Sequence, residues 1–142
     1  MKRWVKRTVR VMAISLLTVV ISACGGESDE VTEEHFYTHN PIQIEDVLTQ
    51  EPDRYLVYFY MESCPHCQDF KPVMLEYMNQ SEALPVFLLD VAKLEDRAVT
   101  EPYGIQYVPS VLLVKDQQQL QSHTGVMTLD ELNAFAQLKE GE

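Results

Sequence analysis

Hydrophobic residues fall into short runs separated by polar segments, and the spacing inside each run predicts its element. Residues 55–60 read Tyr-Leu-Val-Tyr-Phe-Tyr, an unbroken aromatic and branched run of strand length. A strand with no polar face is expected to be covered on both sides of a sheet. Residues 84–89 (Leu-Pro-Val-Phe-Leu-Leu) and 111–114 (Val-Leu-Leu-Val) have the same character. Between the first two runs the period changes, because Phe70, Val73, Met74 and Tyr77 recur at the spacing of one helix face within residues 68–79. Strand, helix and strand in that order predict a βαβ unit with a right-handed crossover. Residues 115–118 then separate the third run from a candidate last strand near 121–126, which suggests an antiparallel hairpin without diagnostic turn chemistry. Thr128 and Glu131 stand at capping-box spacing, and Leu129, Leu132, Phe135 and Leu138 behind them form the core stripe of a final helix.

The first apolar run has a different character. Lys2, Arg3, Lys6, Arg7 and Arg10 precede every acid, and residues 11–26 carry no charge. The most apolar part, residues 11–21, is about half the ~20 residues a spanning helix needs, so a secretory signal peptide is favoured over a transmembrane anchor. The run ends in Ile21-Ser22-Ala23-Cys24, a tetrad that resembles the lipobox of bacterial lipoproteins. That resemblance implies a lipoprotein signal peptide over residues 1–23, with acylated Cys24 as the mature N-terminus and no free thiol there. Acyl chains, at ~0.8 kcal/mol per buried CH₂, would then hold the protein on a membrane surface. Residues 25–34 hold Glu27, Asp29, Glu30, Glu33 and Glu34 with two glycines and a single aliphatic residue, Val31. An acidic flexible tether is therefore expected over 24–35, followed by one domain over 36–142 with no internal repeat.

Composition narrows the choice of partner. The 142 residues make one domain, and 46% hydrophobic content supports an ordinary core. Eleven basic and 22 acidic residues give a net charge of −11. Loss of residues 1–23 removes five basic residues and no acid, leaving six against 22, a net −16. Such a surface repels phosphate backbones, which excludes nucleic acid as a partner. With no polybasic segment in the mature chain, attraction to anionic lipid is also excluded as the anchoring force.

The chemistry lies where the first buried strand gives way to the helix, at Cys64-Pro65-His66-Cys67. Two cysteines at this spacing can close a reversible disulfide, the first at the helix N-terminus and the second in its first turn. The partial positive charge of the helix end and its unpaired N–H groups favour a thiolate, which makes Cys64 the expected nucleophile. His66, if protonated or donating, would stabilise that thiolate further. Cys67 would then be the resolving thiol, attacking the mixed disulfide that Cys64 forms with a substrate. The competing readings of the motif alone are an inert bridge or half a zinc site, the latter needing further ligands from His35, His39, His123 or acids with no second CxxC.

The surroundings of the motif resemble the thioredoxin superfamily. Pro72 follows Cys67 by five residues, as in that family's active-site helix, and Tyr107-Val108-Pro109-Ser110 matches the loop that faces the CxxC. The resemblance covers about residues 50–140. It implies an α/β thioredoxin fold with a central mixed sheet flanked by helices, a cis bond before Pro109, and substrate backbone pairing at Val108. The 41 residues between Cys67 and Pro109 imply the minimal form, without an inserted helical domain. Pro65-His66 and Val108-Pro109 look like those of periplasmic dithiol oxidases of the DsbA type, where the dipeptide tunes the redox potential. The pattern departs from the family at Tyr58, which replaces the usual buried acid, and at Ser63, which replaces the usual tryptophan. Glu62 is the nearest acid in sequence, with a catalytic role or simple exposure to water both open, while Tyr60, Met61 and Tyr107 are candidates for a substrate groove, Tyr60 and Met61 equally for packing residues.

These readings lead to an expected extracytoplasmic thiol–disulfide oxidoreductase, lipid-anchored to a bacterial membrane, with a lean towards oxidase or isomerase. It would need no metal and no cofactor beyond the Cys64–Cys67 disulfide. Its expected partners are protein thiols or disulfides and a membrane redox protein, with the domain itself a monomer. The alternatives are a membrane-anchored reductase, serving cytochrome c maturation or bacteriocin export, and a non-catalytic binding lipoprotein or metal chaperone.

Overall fold

The computed structural model describes residues 30–138. The expected signal peptide, Cys24 and the first part of the expected tether lie outside these residues. Four strands form one sheet in the order β2-β1-β3-β4: β1 (Arg54–Tyr60), β2 (Val86–Asp90), β3 (Ser110–Lys115) and β4 (Gln118–Thr124). β1 runs parallel to β2 and antiparallel to β3, so the sheet is mixed and the βαβ expectation holds. The connecting helix α1 spans Pro65–Met78, and α2 spans Leu129–Ala136.

The unbroken apolar run of β1 reflects a sheet with two covered faces. Leu56, Tyr58 and Tyr60 face one core with Cys67, Phe70, Met74 and Tyr77 of α1 and Leu132 and Phe135 of α2. Tyr55, Val57 and Phe59 face a second core with Val47, Leu89, Leu112, Val114 and Ile105. That second face is roofed by short 3₁₀ segments, including Ile44–Asp46 and Arg97–Tyr103. A connection of this kind between β2 and β3 fits the minimal form, because it leaves no room for an inserted domain.

Three boundaries differ from the expectations, each for a physical reason. Helix α1 begins at Pro65, earlier than the apolar stripe over 68–79 but where the cysteine motif placed the helix N-terminus, because Cys64 caps it and Pro65 occupies the first helical position. β4 begins at Gln118, because Asp116 and Gln117, at φ 50° and 61°, make a two-residue turn. Its exposed glutamines offered no apolar signal for the edge strand. Packing also begins before residue 36: Val31 is buried, and its N–H and carbonyl both bond the Asn79 side chain at 2.8 Å. Residues 40–42 then line the outer edge of β2, where Leu88 N–H donates to Asn40 O and Ile42 N–H to Leu88 O.

Candidate active site

β1 ends at Tyr60, and the chain turns through residues 61–63 to place Cys64 at the N-terminus of α1. Cys64 is partly exposed, and Cys67, one turn on, is 1% exposed. Cys64 Sγ accepts the Cys67 backbone N–H at 3.3 Å, so the sulfur itself supplies the helix cap. A negative sulfur gains from this N–H and from the positive end of the helix dipole. Both thiols are free in this structure.

The loop before β3 closes the other side. The Val108–Pro109 peptide bond is cis, and the Cys64 thiol donates to Val108 O at 3.7 Å. Pro109 O accepts from Gly125 N–H at 2.8 Å, where a positive φ of 110° suits a glycine. The fully buried Ser110 hydroxyl bonds Tyr107 O at 2.7 Å and the Thr124 hydroxyl at 2.9 Å. Across from the loop, the Thr100 hydroxyl donates to Ile105 O at 2.6 Å and lies 2.8 Å from Arg97 O, which shapes the Arg97–Tyr103 segment. Sequence reasoning missed both hydroxyls. Ser110 carried a faint signal as a polar residue opening an apolar strand, and Thr100 carried none.

Between loop and segment lies a groove of about 610 Å³, with Met61, Cys64, Arg97, Glu101, Tyr107 and Val108 among its lining. Tyr107 is 72% exposed, so the groove has an apolar, accessible rim beside the Cys64 sulfur. Met61 contacts Arg97, whose Nη2 lies 3.2 Å from its sulfur. Tyr60, by contrast, is a packing residue: it is buried and stacks between Tyr37 and Tyr58. Pro65 and His66 are exposed, and His66 Nδ1 lies 3.7 Å from Asp69 along the helix surface. Glu62 also faces solvent. Among the described residues no three His, Cys, Asp or Glu side chains are grouped so as to hold a metal ion.

Burial dominates the electrostatics beneath the motif. It pushes the Cys67 thiol up to about 12, reinforced by the Cys64 sulfur and opposed by the Met61 backbone and the Tyr58 hydroxyl. Burial likewise holds the Tyr58 phenol far above its usual range. The Tyr58 hydroxyl stands 3.5 Å from Cys67 O. One sulfur is therefore accessible at a helix end, and its partner is held neutral one turn below it.

A family model described as Thioredoxin matches residues 35–138. The chain belongs to the thioredoxin family. This thioredoxin-family chain is 32% identical over 91 residues to "Thioredoxin C-2" of Corynebacterium nephridii, an alignment spanning 63% of the chain and 82% of that relative. It is 25% identical over 87 residues to "Disulfide bond formation protein" of Brevibacillus choshinensis, covering 61% of the chain and 74% of the relative. A mutant thioredoxin from Halobacterium salinarum is similar at TM-score 0.56 and 30% identity, over 68% of this chain and 88% of that one. Mitochondrial thioredoxin 3 of Saccharomyces cerevisiae, at TM-score 0.60 and 15% identity over 72% of this chain and 98% of that one, shares the fold. As a thioredoxin-family enzyme, the protein is a thiol–disulfide oxidoreductase acting on protein thiols and disulfides.

Proposed function

We propose that this enzyme works outside the cytoplasm, held to a bacterial membrane by lipid on Cys24, and that it oxidises or isomerises protein disulfides through Cys64 and Cys67. The carrying observation is the placement of Cys64 Sγ, which accepts the helix-end N–H at 3.3 Å and stands 3.7 Å from Val108 O at the mouth of a groove. In the oxidising direction a substrate thiolate attacks Cys64 Sγ, a mixed disulfide forms, and Cys67 leaves with the electron pair. A second substrate thiolate then attacks the substrate sulfur of that bond, which closes the substrate disulfide and releases Cys64. The reduced pair passes its two electrons to a membrane redox partner. A substrate chain lying along the groove would pair its backbone with Val108 beside Pro109, and Pro65 and His66 would tune the potential.

The basic start, the short apolar run and the tetrad ending in Cys24 support the location. The oxidative lean draws on Pro65-His66 and on the relative named for disulfide bond formation. A second reading, a membrane-anchored reductase, draws on the higher identity to a thioredoxin. Equilibration of the purified protein with glutathione separates the two. An oxidase is expected well above the ~−270 mV of thioredoxin, towards the ~−120 mV of DsbA, and a value near −270 mV or below overturns that reading. Cys64→Ser is expected to abolish exchange, and Cys67→Ser to accumulate mixed disulfides whose isolation identifies the substrates. Failure of Cys67→Ser to trap any adduct overturns the assignment of the resolving thiol.

A further inference from the structure

Whichever way electrons flow, the exchange requires Cys67, 1% exposed, to bear negative charge once in each cycle. On the reductive path its thiolate attacks Cys64 Sγ of the mixed disulfide. The Cys64–Cys67 bond forms, the bond from Cys64 to the substrate breaks, and the electron pair leaves on the substrate sulfur. On the oxidative path the Cys67 sulfur leaves with the pair when the substrate attacks Cys64. A buried charge without a donor is costly, so a donor at this sulfur speeds both directions.

β1 supplies one. Tyr58, six residues before Cys64, is 1% exposed and shares a core cluster with Cys67, Phe70 and Met74. Its ring is set edge-on against Phe36 and Phe70 and stacked on Tyr60, which fixes where its hydroxyl points. That hydroxyl donates to Cys67 O at 3.5 Å, the outer limit of a hydrogen bond, so it is weakly committed to the same residue whose sulfur needs a donor. The titratable groups facing it are Cys67 of α1, Cys64 at the N-terminal cap of that helix and Tyr37 from the N-terminal segment.

We propose that the Tyr58 hydroxyl donates a hydrogen bond to Cys67 Sγ whenever that sulfur is a thiolate, acting as a neutral donor beneath the resolving thiol. The proposal rests on Cys67 as the resolving cysteine. No proton moves to or from Tyr58, and the hydrogen of Cys67 goes to water or to the departing substrate sulfur. Burial keeps the phenol protonated, and the hydroxyl draws the Cys67 thiol down against the rise caused by burial.

Two rates in the full chain test this. In the protein that retains both cysteines, Tyr58→Phe is expected to slow resolution of a mixed disulfide between Cys64 and a small aromatic thiol about ten-fold, the worth of a bond to a charged group. In a Cys67→Ser background, where only the attack of Cys64 is read, Tyr58→Phe is expected to leave the rate unchanged. Tyr60→Phe, which removes the hydroxyl of the next ring in the stack, is expected to change neither step. Equal slowing of both steps by Tyr58→Phe marks a merely structural role and overturns the proposal, as does no slowing of either. Absence of any adduct in Cys67→Ser instead overturns the resolving assignment, so the two failures are distinguishable.

Discussion

Cys67 gives the reduced enzyme a pH signature of definite sign. A thiol held at about 12 in the folded state and near its ordinary value of 9.0 when unfolded favours folding while it stays neutral. That contribution is fully present below about pH 9 and is lost progressively as pH rises towards about 12, because the unfolded chain releases the proton first. The check is urea denaturation of Cys64→Ser against Cys64→Ser/Cys67→Ala, which cancels the other titrating groups. The stability difference is expected to shrink from about pH 8 to about pH 11, and a flat difference contradicts the sign. At this scale the sequence was informative where chemistry is local: Cys64, Pro65 and Cys67 stand at the start of α1 as their spacing implied, and the bond before Pro109 is cis as the family resemblance implied. Tyr58 was legible only as a missing acid, since its contact with Cys67 depends on how β1 lies under α1. Tyr60 likewise had two readings until its ring was found stacked against Tyr37 and Tyr58.

Elements that bury a repeated pattern were legible, and those that do not were misplaced. β1 announced itself by an unbroken apolar run and α1 and α2 by helical period, and the capping box at Thr128 and Glu131 is present with both bonds made. The N-terminal segment was read as tether from its acids, yet its ordering depends on partners remote in sequence. Asn79, at the C-terminal cap of α1, bonds Val31 across 48 positions. Lys71 Nζ donates to Glu33 O and sits 4.9 Å from the Tyr37 ring centre. The segment thereby seats Phe36 and Tyr37 against Tyr58 and Tyr60 behind the site. Asn79→Ala removes two neutral hydrogen bonds, each worth about 1 kcal/mol, and is expected to cost about 1–2 kcal/mol in a denaturation curve. Amide exchange should rise over residues 31–38 first, because that stretch loses its tie to α1. Unchanged protection there would show that the aromatic contacts alone hold the segment.

Charge is a property of the whole molecule that no single contact expresses. Over residues 24–142 six basic residues stand against 22 acidic ones, a net −16 for that part of the sequence, and the groove is lined by both Arg97 and Glu101. Exposed Glu62 and Asp69 stand two residues before and five after Cys64 in sequence, and Glu101 lines the groove with Arg97, so acids outnumber bases three to one among these four. A field of this sign raises the encounter rate of cationic substrates and lowers that of anionic ones, and salt screens it over a Debye length of about 10 Å at 0.1 M. Two cysteine peptides, identical except for lysine or glutamate flanks, make the comparison. At low ionic strength the lysine peptide is expected to exchange faster, slowing as salt is added, while the glutamate peptide accelerates and the two rates converge. Parallel responses to salt would mean that local contacts in the groove, chiefly at Tyr107 and Arg97, outweigh the global field in choosing the substrate. The chemical step passes no net charge between these flanks and Cys67, so the salt effect should appear in encounter and leave the resolving rate untouched. That separation distinguishes steering by the acidic surface from any effect of salt on the buried thiol itself.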